Sequence, residues 1–248
     1  MSIDKDRVLT AVALIATIAI IAFIDTLFLT WLFLGIVFMF AFYESMRLFK
    51  IEDNSLYFYA LVLWLISYFY PNPDDLIFLV LIIFASAMAY QGKLDFKKSY
   101  VFIYPASSFL FTLALYKGFG IESLIWLVLV VALTDTGAYL VGKAIGKTKF
   151  CKTSPNKTIE GVVGGVLIGT ILGSLYGTLF VSFALSLFIS FIVAISSVFG
   201  DLFESFLKRN AKVKDSGNIL PGHGGVLDRV DGYMFGSVLM VVLLRGFA

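Results

Sequence analysis

The segment from Ser205 to Asp231 combines side chains that bind metal ions and phosphates. Its 27 residues include five lysines and arginines, three aspartates and His223, the only histidine of the chain. Asp228 and Asp231 are three positions apart, so on a helical turn both carboxylates would face the same point. A hard divalent cation such as Mg²⁺ binds one or two such carboxylates together with substrate phosphates. The composition of this segment therefore indicates a site for a metal ion and a polyphosphate.

Asp201 is a further candidate carboxylate. It follows the uncharged stretch 161–200 and shares a helix face with Ser205 and Lys208, which places a polar stripe at the end of an apolar helix. Termination of an amphipathic helix explains the lysine but not the aspartate. One proline and four glycines lie between Asp201 and Asp228. The chain can therefore fold back and bring these two carboxylates together.

His223 lies among Gly222, Gly224 and Gly225. Its imidazole could bind a metal, transfer a proton or donate to a phosphate. Because there is no second histidine to suggest zinc, phosphate contact or shaping of the loop is the better interpretation.

Asp135 and the basic loop that follows it form a separate candidate region. Asp135 lies in the apolar stretch 121–142, where an unpaired carboxylate costs roughly 2.5–3.5 kcal/mol. A functional role is the favoured interpretation, with snorkelling or helix capping as the alternative. After the loop 143–157, Thr158 or a neighbour is expected to cap the next helix, whose free N–H groups would attract phosphate beside Lys157. Contact with anionic lipid would also explain a basic loop.

The elements that must position these residues are membrane helices. The chain has 248 residues, of which 60% are hydrophobic and 15% charged, and a mean hydropathy of +0.95 excludes a water-soluble fold. Uncharged stretches occur at 8–24, 26–43, 55–70, 76–92, 99–116, 161–200 and 232–244, and Glu122 and Asp135 interrupt another at 121–142. Since about 20 residues cross the hydrocarbon, the longest stretch must be two spans. The sequence predicts an all-α, polytopic transmembrane helix bundle of about nine spans.

The distribution of lysine and arginine predicts the orientation of the chain. If the N-terminus is cytoplasmic, 17 of the 19 basic residues lie on the cytoplasmic side, and only Lys117 and Arg245 lie opposite. Such an asymmetry follows the positive-inside rule. We therefore expect a multi-pass protein of the inner or plasma membrane with its N-terminus and its polar loops in the cytoplasm.

The two halves of the chain differ in polar content. Residues 1–117 contain almost no buried ionisable residue and are expected to form a five-span scaffold, in which replacement of Lys117 should have little effect. Residues 118–248 are expected to form a four-span catalytic region with cytoplasmic loops at 143–160 and 208–230.

A ladder of glycines lies between the polar clusters. It consists of Gly161, Gly165, Gly169, Gly173 and Gly177, which recur every four residues. Such a face lets neighbouring backbones approach closely. The ladder predicts tight helix packing, either within the chain or across a dimer.

The polar segment as a whole resembles the signature of the phosphatidate cytidylyltransferases, the CDP-diacylglycerol synthases. Its pattern is S-x-L-K-R, four residues, K-D-x-G, two residues and L-P-x-H-G-G-V-x-D-R-V-D, and the chain meets each fixed position between Ser205 and Asp231. The upstream DTGAYLVGKAIGK and SPNKTIEG also resemble a region of that family. The resemblance covers roughly the C-terminal half, because the first 117 residues are similar only in hydropathy.

The resemblance implies a reaction in which CTP and phosphatidic acid give CDP-diacylglycerol and pyrophosphate in a magnesium-dependent, homodimeric membrane enzyme. It implies catalytic roles for Asp201, Asp228, Asp231 and Lys208, the three aspartates being the metal ligands. The implied substrate-binding residues are Asp135, Asn156, Lys157, Thr158, Ser205, Arg209, Lys214, Asp215, His223, Gly224, Gly225 and Arg229. Asp135 would alternatively hold a second cation or a lysine.

Two other functions fit some of these residues. A transporter could use Asp135, Asp201 and Glu204 to couple protons or ions, but acids clustered at one membrane face and the absence of a sequence repeat fit it poorly. Another CTP-dependent lipid enzyme, such as an archaeal-lipid cytidylyltransferase or a lipid kinase, is a closer rival. We expect CTP, phosphatidic acid, the bilayer and a second copy of the chain as partners, and no nucleic acid.

Overall fold

A computed structural model describes residues 5–247, with the side chains of 5–7 and 11 left undescribed. The orientation predicted above rests in part on Lys5 and Arg7, whose side chains lie outside this description. The described residues form helices and contain no β-strand. The helices are α1 (Lys5–Ile24), α2 (Leu27–Phe49), α3 (Ser55–Phe69), α4 (Leu76–Gln91), α5 (Phe96–Ile145), α6 (Ile159–Gly177), α7 (Phe183–Ala211) and α8 (Leu227–Phe247), with a 3₁₀ turn at Pro73–Asp75 before α4.

The helices account for most of the apolar stretches. In the described part of the chain, six helical segments are long and apolar enough to cross a membrane. The stretch 161–200 is divided between α6 and α7, as expected. The 50-residue helix α5 contains a kink at Gly120, whose φ of 78° favours glycine. The chain is therefore an all-helical protein with several helices suited to a bilayer.

The chain forms two compact units. Unit one comprises the described residues up to Gly118 together with Ala211–Arg229, and unit two comprises Phe119–Asn210 and the described residues from Val230 onward. The second polar loop thus belongs to the same unit as α1–α4.

An aromatic cluster lies at the centre of unit one. The ring of Phe38 lies 5.3 Å from that of Trp64 and 5.6 Å from that of Phe109, and Phe42 lies 5.4 Å from Phe102. Phe38 and Phe42 are buried. Tilted and edge-on contacts of this kind add to the packing of large side chains, so α2 is fixed against α3 and the first half of α5.

Lys117, whose replacement is expected from the sequence to have little effect, makes three hydrogen bonds within unit one. Its ammonium group donates to the carbonyl oxygens of Ser67, Tyr68 and Tyr70 at 3.1, 2.8 and 2.7 Å. These carbonyls lie at the C-terminal end of α3, where the last turn lacks intrahelical donors. Lys117 therefore caps α3.

The glycine ladder of α6 packs within the chain, against the second half of α5. A Cβ on Gly161 would lie 2.8 Å from the carbonyl oxygen of Ala138, and one on Gly169 would lie 2.9 Å from that of Val130. Both distances are shorter than real Cβ contacts, so only glycine permits this approach. The packing prediction is confirmed, and the intrachain alternative is the one observed.

Candidate functional site

Backbone hydrogen bonds within the loop before α8, in unit one, fix its conformation. The N–H of Leu220 donates to the carbonyl oxygen of Gly224 at 3.0 Å, and the N–H of His223 donates to that of Leu220 at 2.9 Å. Gly222 and Gly224 have φ values of 71° and 82°, which L side chains rarely adopt. The glycines around His223 are therefore required by the turn.

Arg229 closes this turn from the first residues of α8. Its guanidinium donates to the carbonyl oxygen of His223 from Nε at 3.0 Å and from Nη2 at 2.8 Å. The His223 ring is half-buried, and its Nδ1 lies 3.5 Å from the carbonyl oxygen of Pro221. In this structure both residues contribute to the shape of the loop, and phosphate contact by either stays a prediction.

Asp228 lies in the first turn of α8, and the loop donates hydrogen bonds to its carboxylate. Oδ2 accepts from the N–H groups of Ser216 and Gly225 at 3.0 and 2.8 Å and lies 3.0 Å from the hydroxyl of Ser216. A negative charge is also favourable at a helix N-terminus. Together these contacts give the Asp228 carboxylate a fixed position.

Glu44 of α2 is a residue of this region that sequence reasoning missed. Its side chain is fully buried and accepts hydrogen bonds from Ser216, Val226 and Leu227. The expectation that the first 117 residues hold almost no buried ionisable residue is therefore wrong, since Asp74 is buried as well. The available signal was a single carboxylate inside an apolar helix, three residues before Arg47.

A basic cleft lies beside the loop in unit one. Its volume is about 410 Å³, and it is lined by Arg47, Leu48, Lys50, Ala211, Val213, Lys214, Asp215, Ser216, Gly217 and Asn218. Three of these residues are cationic and one is acidic. Lys214 and Asp215 were predicted to bind substrate, whereas Arg47 and Lys50 were not singled out. The excess of positive charge suits an anionic ligand.

Asp201 lies in unit two, on α7, and already has a cationic partner. Lys157 forms an ion pair with its Oδ2, and the hydroxyl of Ser205 donates to its Oδ1 at 3.3 Å. The side chains of the ion pair are 21% and 29% exposed, so solvent screens the pair only in part. The structure therefore brings together three predicted site residues, Lys157, Asp201 and Ser205.

Asp231 joins a group of acids in unit two. It experiences the negative charges of Asp201 and Asp135, and it shares a side-chain hydrogen bond with Glu204. Glu204 is fully buried, and its Oε2 accepts a hydrogen bond of 3.1 Å from Lys208. This region thus brings together acidic side chains from α5, α7 and α8, two of which are paired with lysines. Glu204 was noted from the sequence as an acid near the end of α7 but was not among the predicted site residues.

The start of α6 differs in one respect from expectation. Thr158 caps the helix as predicted, because its hydroxyl accepts from the N–H of Gly161 at 3.1 Å. The N–H of Ile159 donates to the carbonyl oxygen of Thr148 at 2.9 Å. Two of the N–H groups predicted to be free, those of Ile159 and Gly161, are therefore occupied by the protein.

The remaining predicted binding residues lie at the surface. Asn156, Arg209, Lys214 and Asp215 are exposed. A bound anion could reach them without displacing buried groups.

The chain is similar to a characterised family of proteins, and the family match extends over nearly its whole length. A profile of the cytidylyltransferase family matches residues 5–247. The chain belongs to the cytidylyltransferase family. A phosphatidate cytidylyltransferase of Helicobacter pylori strain J99 is 43% identical over 244 residues, which cover 97% of this chain and 92% of the relative. A second Helicobacter pylori strain has a protein of the same name that is 42% identical over 244 residues. A phosphatidate cytidylyltransferase of Staphylococcus aureus strain COL is 44% identical over 129 residues, half of each chain.

The match extends the resemblance beyond the C-terminal half. The region matched by the family profile includes α2, and therefore Glu44, Arg47 and Lys50. Residues 5–117 thus belong to the matched family region and share more than hydropathy with it.

Carboxylates of this cytidylyltransferase could hold a magnesium ion whose coordination substrate phosphates would complete. Among the side chains that the structure describes, no three His, Cys, Asp or Glu residues are grouped as a ready-made metal site. Mg²⁺ usually takes one or two carboxylates and fills its remaining positions with water and substrate phosphates. Asp201 and Asp231, whose charges interact in unit two, are a donor set of that kind.

Proposed function

We infer that this chain transfers the cytidylyl group of CTP to phosphatidic acid, giving CDP-diacylglycerol and pyrophosphate for phospholipid biosynthesis. The observation that carries this proposal is 43% identity to a phosphatidate cytidylyltransferase over 97% of the chain. The unbroken signature from Ser205 to Asp231 supports it.

The reaction requires alignment and neutralisation of charge more than proton abstraction. A phosphate oxygen of phosphatidic acid attacks the α-phosphorus of CTP, the new P–O bond forms, and the bond to the β-phosphate breaks with release of pyrophosphate. The nucleophile is already an anion near neutral pH, so no strong general base is needed. Two anions must meet, and positioned cations lower the barrier by stabilising the developing charge.

Asp201, Asp228 and Asp231 are the proposed ligands of Mg²⁺, and Asp135 would hold a second cation if one binds. When bound, the ion would supply Lewis acidity and a template for the nucleotide phosphates. The acid group around Asp231 supports this role, because a cation there would offset the repulsion among its charges.

The basic residues are proposed to bind phosphates. Lys157 would exchange its ion pair with Asp201 for a nucleotide phosphate when substrate binds, and Lys208 and Arg209 would contact the same ligand. Lys214 would act from the basic cleft, together with Arg47 and Lys50. A cleft of about 410 Å³ has room for a polyphosphate.

The finer topology belongs to the same proposal. We place nine spans, a cytoplasmic N-terminus and a site at the cytoplasmic face of the inner or plasma membrane, with phosphatidic acid entering sideways from the inner leaflet. The asymmetry of 17 basic residues out of 19 supports this orientation. A homodimer is proposed from the family resemblance.

Mass spectrometry of the products tests the function. Purified protein would be incubated with phosphatidic acid in mixed micelles, CTP and Mg²⁺. We expect CDP-diacylglycerol and pyrophosphate in equal amounts. Release of CDP with a phosphorylated lipid would identify a kinase instead, and the absence of any nucleotide turnover would favour the transporter.

A further inference from the structure

Glu44 lies on the buried face of α2, and its side chain is 0% exposed. A buried carboxylate is costly unless hydrogen bonds compensate for the loss of water. Oε1 accepts from the N–H of Val226 at 2.9 Å, and Oε2 accepts from the N–H of Leu227 at 2.8 Å and from the hydroxyl of Ser216 at 2.9 Å. All three donors belong to the segment that leads into α8.

Two glycines of the signature make room for this carboxylate. A Cβ on Gly217 would lie 2.8 Å from Cδ of Glu44, and a Cβ on Gly225 would lie 2.5 Å from Oε2 of Glu44. Any side chain at either position would overlap the carboxylate. Glu44, more than 170 residues away along the chain, therefore accounts for the glycine at position 217, and together with the hydroxyl of Ser216 it accounts for the glycine at position 225.

Ser216 links Glu44 to Asp228. Its hydroxyl lies 2.9 Å from Glu44 Oε2 and 3.0 Å from Asp228 Oδ2, and its single proton serves one of the two at a time. Its N–H also donates to Asp228 Oδ2 at 3.0 Å. Glu44 thus holds both the residue that contacts Asp228 and the N–H of Leu227, with which the helix carrying Asp228 begins.

We propose that Glu44 is a positioning residue for the transfer reaction, holding Ser216 and the start of α8 so that Asp228 is fixed before substrate binds. This inference rests on the proposed role of Asp228. Residues that orient a metal ligand through hydrogen bonds typically change metal affinity or activity about 10–100-fold when they are replaced. The contribution comes from unit one, and specifically from the part of the chain that the sequence assigned to a scaffold.

The test compares Glu44→Gln with the wild type by two independent readouts. Glutamine keeps the size of the side chain, but its NH₂ group cannot accept from Val226 or Leu227. We expect faster amide hydrogen exchange in residues 216–228 of the purified protein without substrate. We also expect kcat to fall about 10–100-fold and the Mg²⁺ concentration for half-maximal rate to rise. Glu44→Asp keeps the charge and should recover part of both.

Asp74→Asn is the matched control, because Asp74 is another buried carboxylate of unit one, only 4% exposed, in the 3₁₀ turn between α3 and α4. It should leave exchange in residues 216–228 and the Mg²⁺ profile unchanged, whatever it does to thermal stability. Unchanged exchange in Glu44→Gln would overturn the proposal. Faster exchange with wild-type kcat and Mg²⁺ profile would overturn it too, because Glu44 would then be purely structural.

Two outcomes need a second measurement. If Glu44→Gln does not fold, the same readouts on Glu44→Asp and Ser216→Ala decide the question, since each alters the link to Asp228 while keeping most of the other contacts. If the wild type makes no CDP-diacylglycerol, the proposed function fails, whereas the exchange comparison still decides whether Glu44 holds the loop.

Discussion

Replacement of Asp228 separates its structural role from its proposed chemical role. Oδ2 accepts two backbone hydrogen bonds, from Ser216 and Gly225. Hydrogen bonds to a charged acceptor contribute about 1 kcal/mol more than neutral ones. Asp228→Asn, which keeps an acceptor oxygen, should therefore lose about 2 kcal/mol of stability. Asp228→Ala leaves two N–H groups unsatisfied at about 1–3 kcal/mol each, so it should lose about 4 kcal/mol.

Activity should not follow this order. If the carboxylate binds Mg²⁺, both variants lose the charge, and kcat should fall at least about 100-fold in each, as when a group that stabilises transition-state charge is removed. Stability would be measured by thermal unfolding in detergent, and turnover by CDP-diacylglycerol formation across a Mg²⁺ titration. Near-normal kcat for Asp228→Asn at all Mg²⁺ concentrations would refute the metal assignment. Equal losses of stability for the two variants would refute the role of the loop hydrogen bonds.

Three further predictions concern other parts of the molecule. Asp201→Asn should abolish CDP-diacylglycerol formation while the protein still inserts and folds; activity retained across Mg²⁺ concentrations would remove Asp201 from the metal site. Arg47→Ala and Lys50→Ala should each raise the KM for CTP several-fold with a smaller change in kcat. Arg245→Ala, a matched loss of charge on α8, should leave the KM unchanged. Equal effects of all three variants would argue against CTP binding in the basic cleft. Lys117→Met should lower the unfolding free energy by about 2 kcal/mol, because three carbonyl groups at the C-terminal end of α3 lose their donor. An unchanged melting temperature would show that water replaces the lysine as donor.

Some features of the fold could be predicted because their signals are local. The period of the glycines in α6 reports a face without side chains, and the structure shows that face in close contact with α5. Thr158 was expected to cap α6, and it does so through a residue three positions away. Local signals also misled in part, since the N–H of Ile159, expected to be free at the start of α6, is bonded to the carbonyl oxygen of Thr148. That outcome depends on how the preceding loop folds back, which helix propensity does not encode.

The amino-acid sequence by itself determined that this is an all-helical membrane protein and a cytidylyltransferase, because hydropathy and the signature from Ser205 to Asp231 are properties of contiguous residues. Only the tertiary structure decided what holds that signature in place. Glu44 meets Val226 and Leu227 across 182 and 183 positions of chain. The spacing of residues along the sequence does not indicate a contact between residues so far apart in the chain. The need to satisfy a buried carboxylate, and to leave room for it at Gly217 and Gly225, becomes visible only when α2 and the loop are packed together.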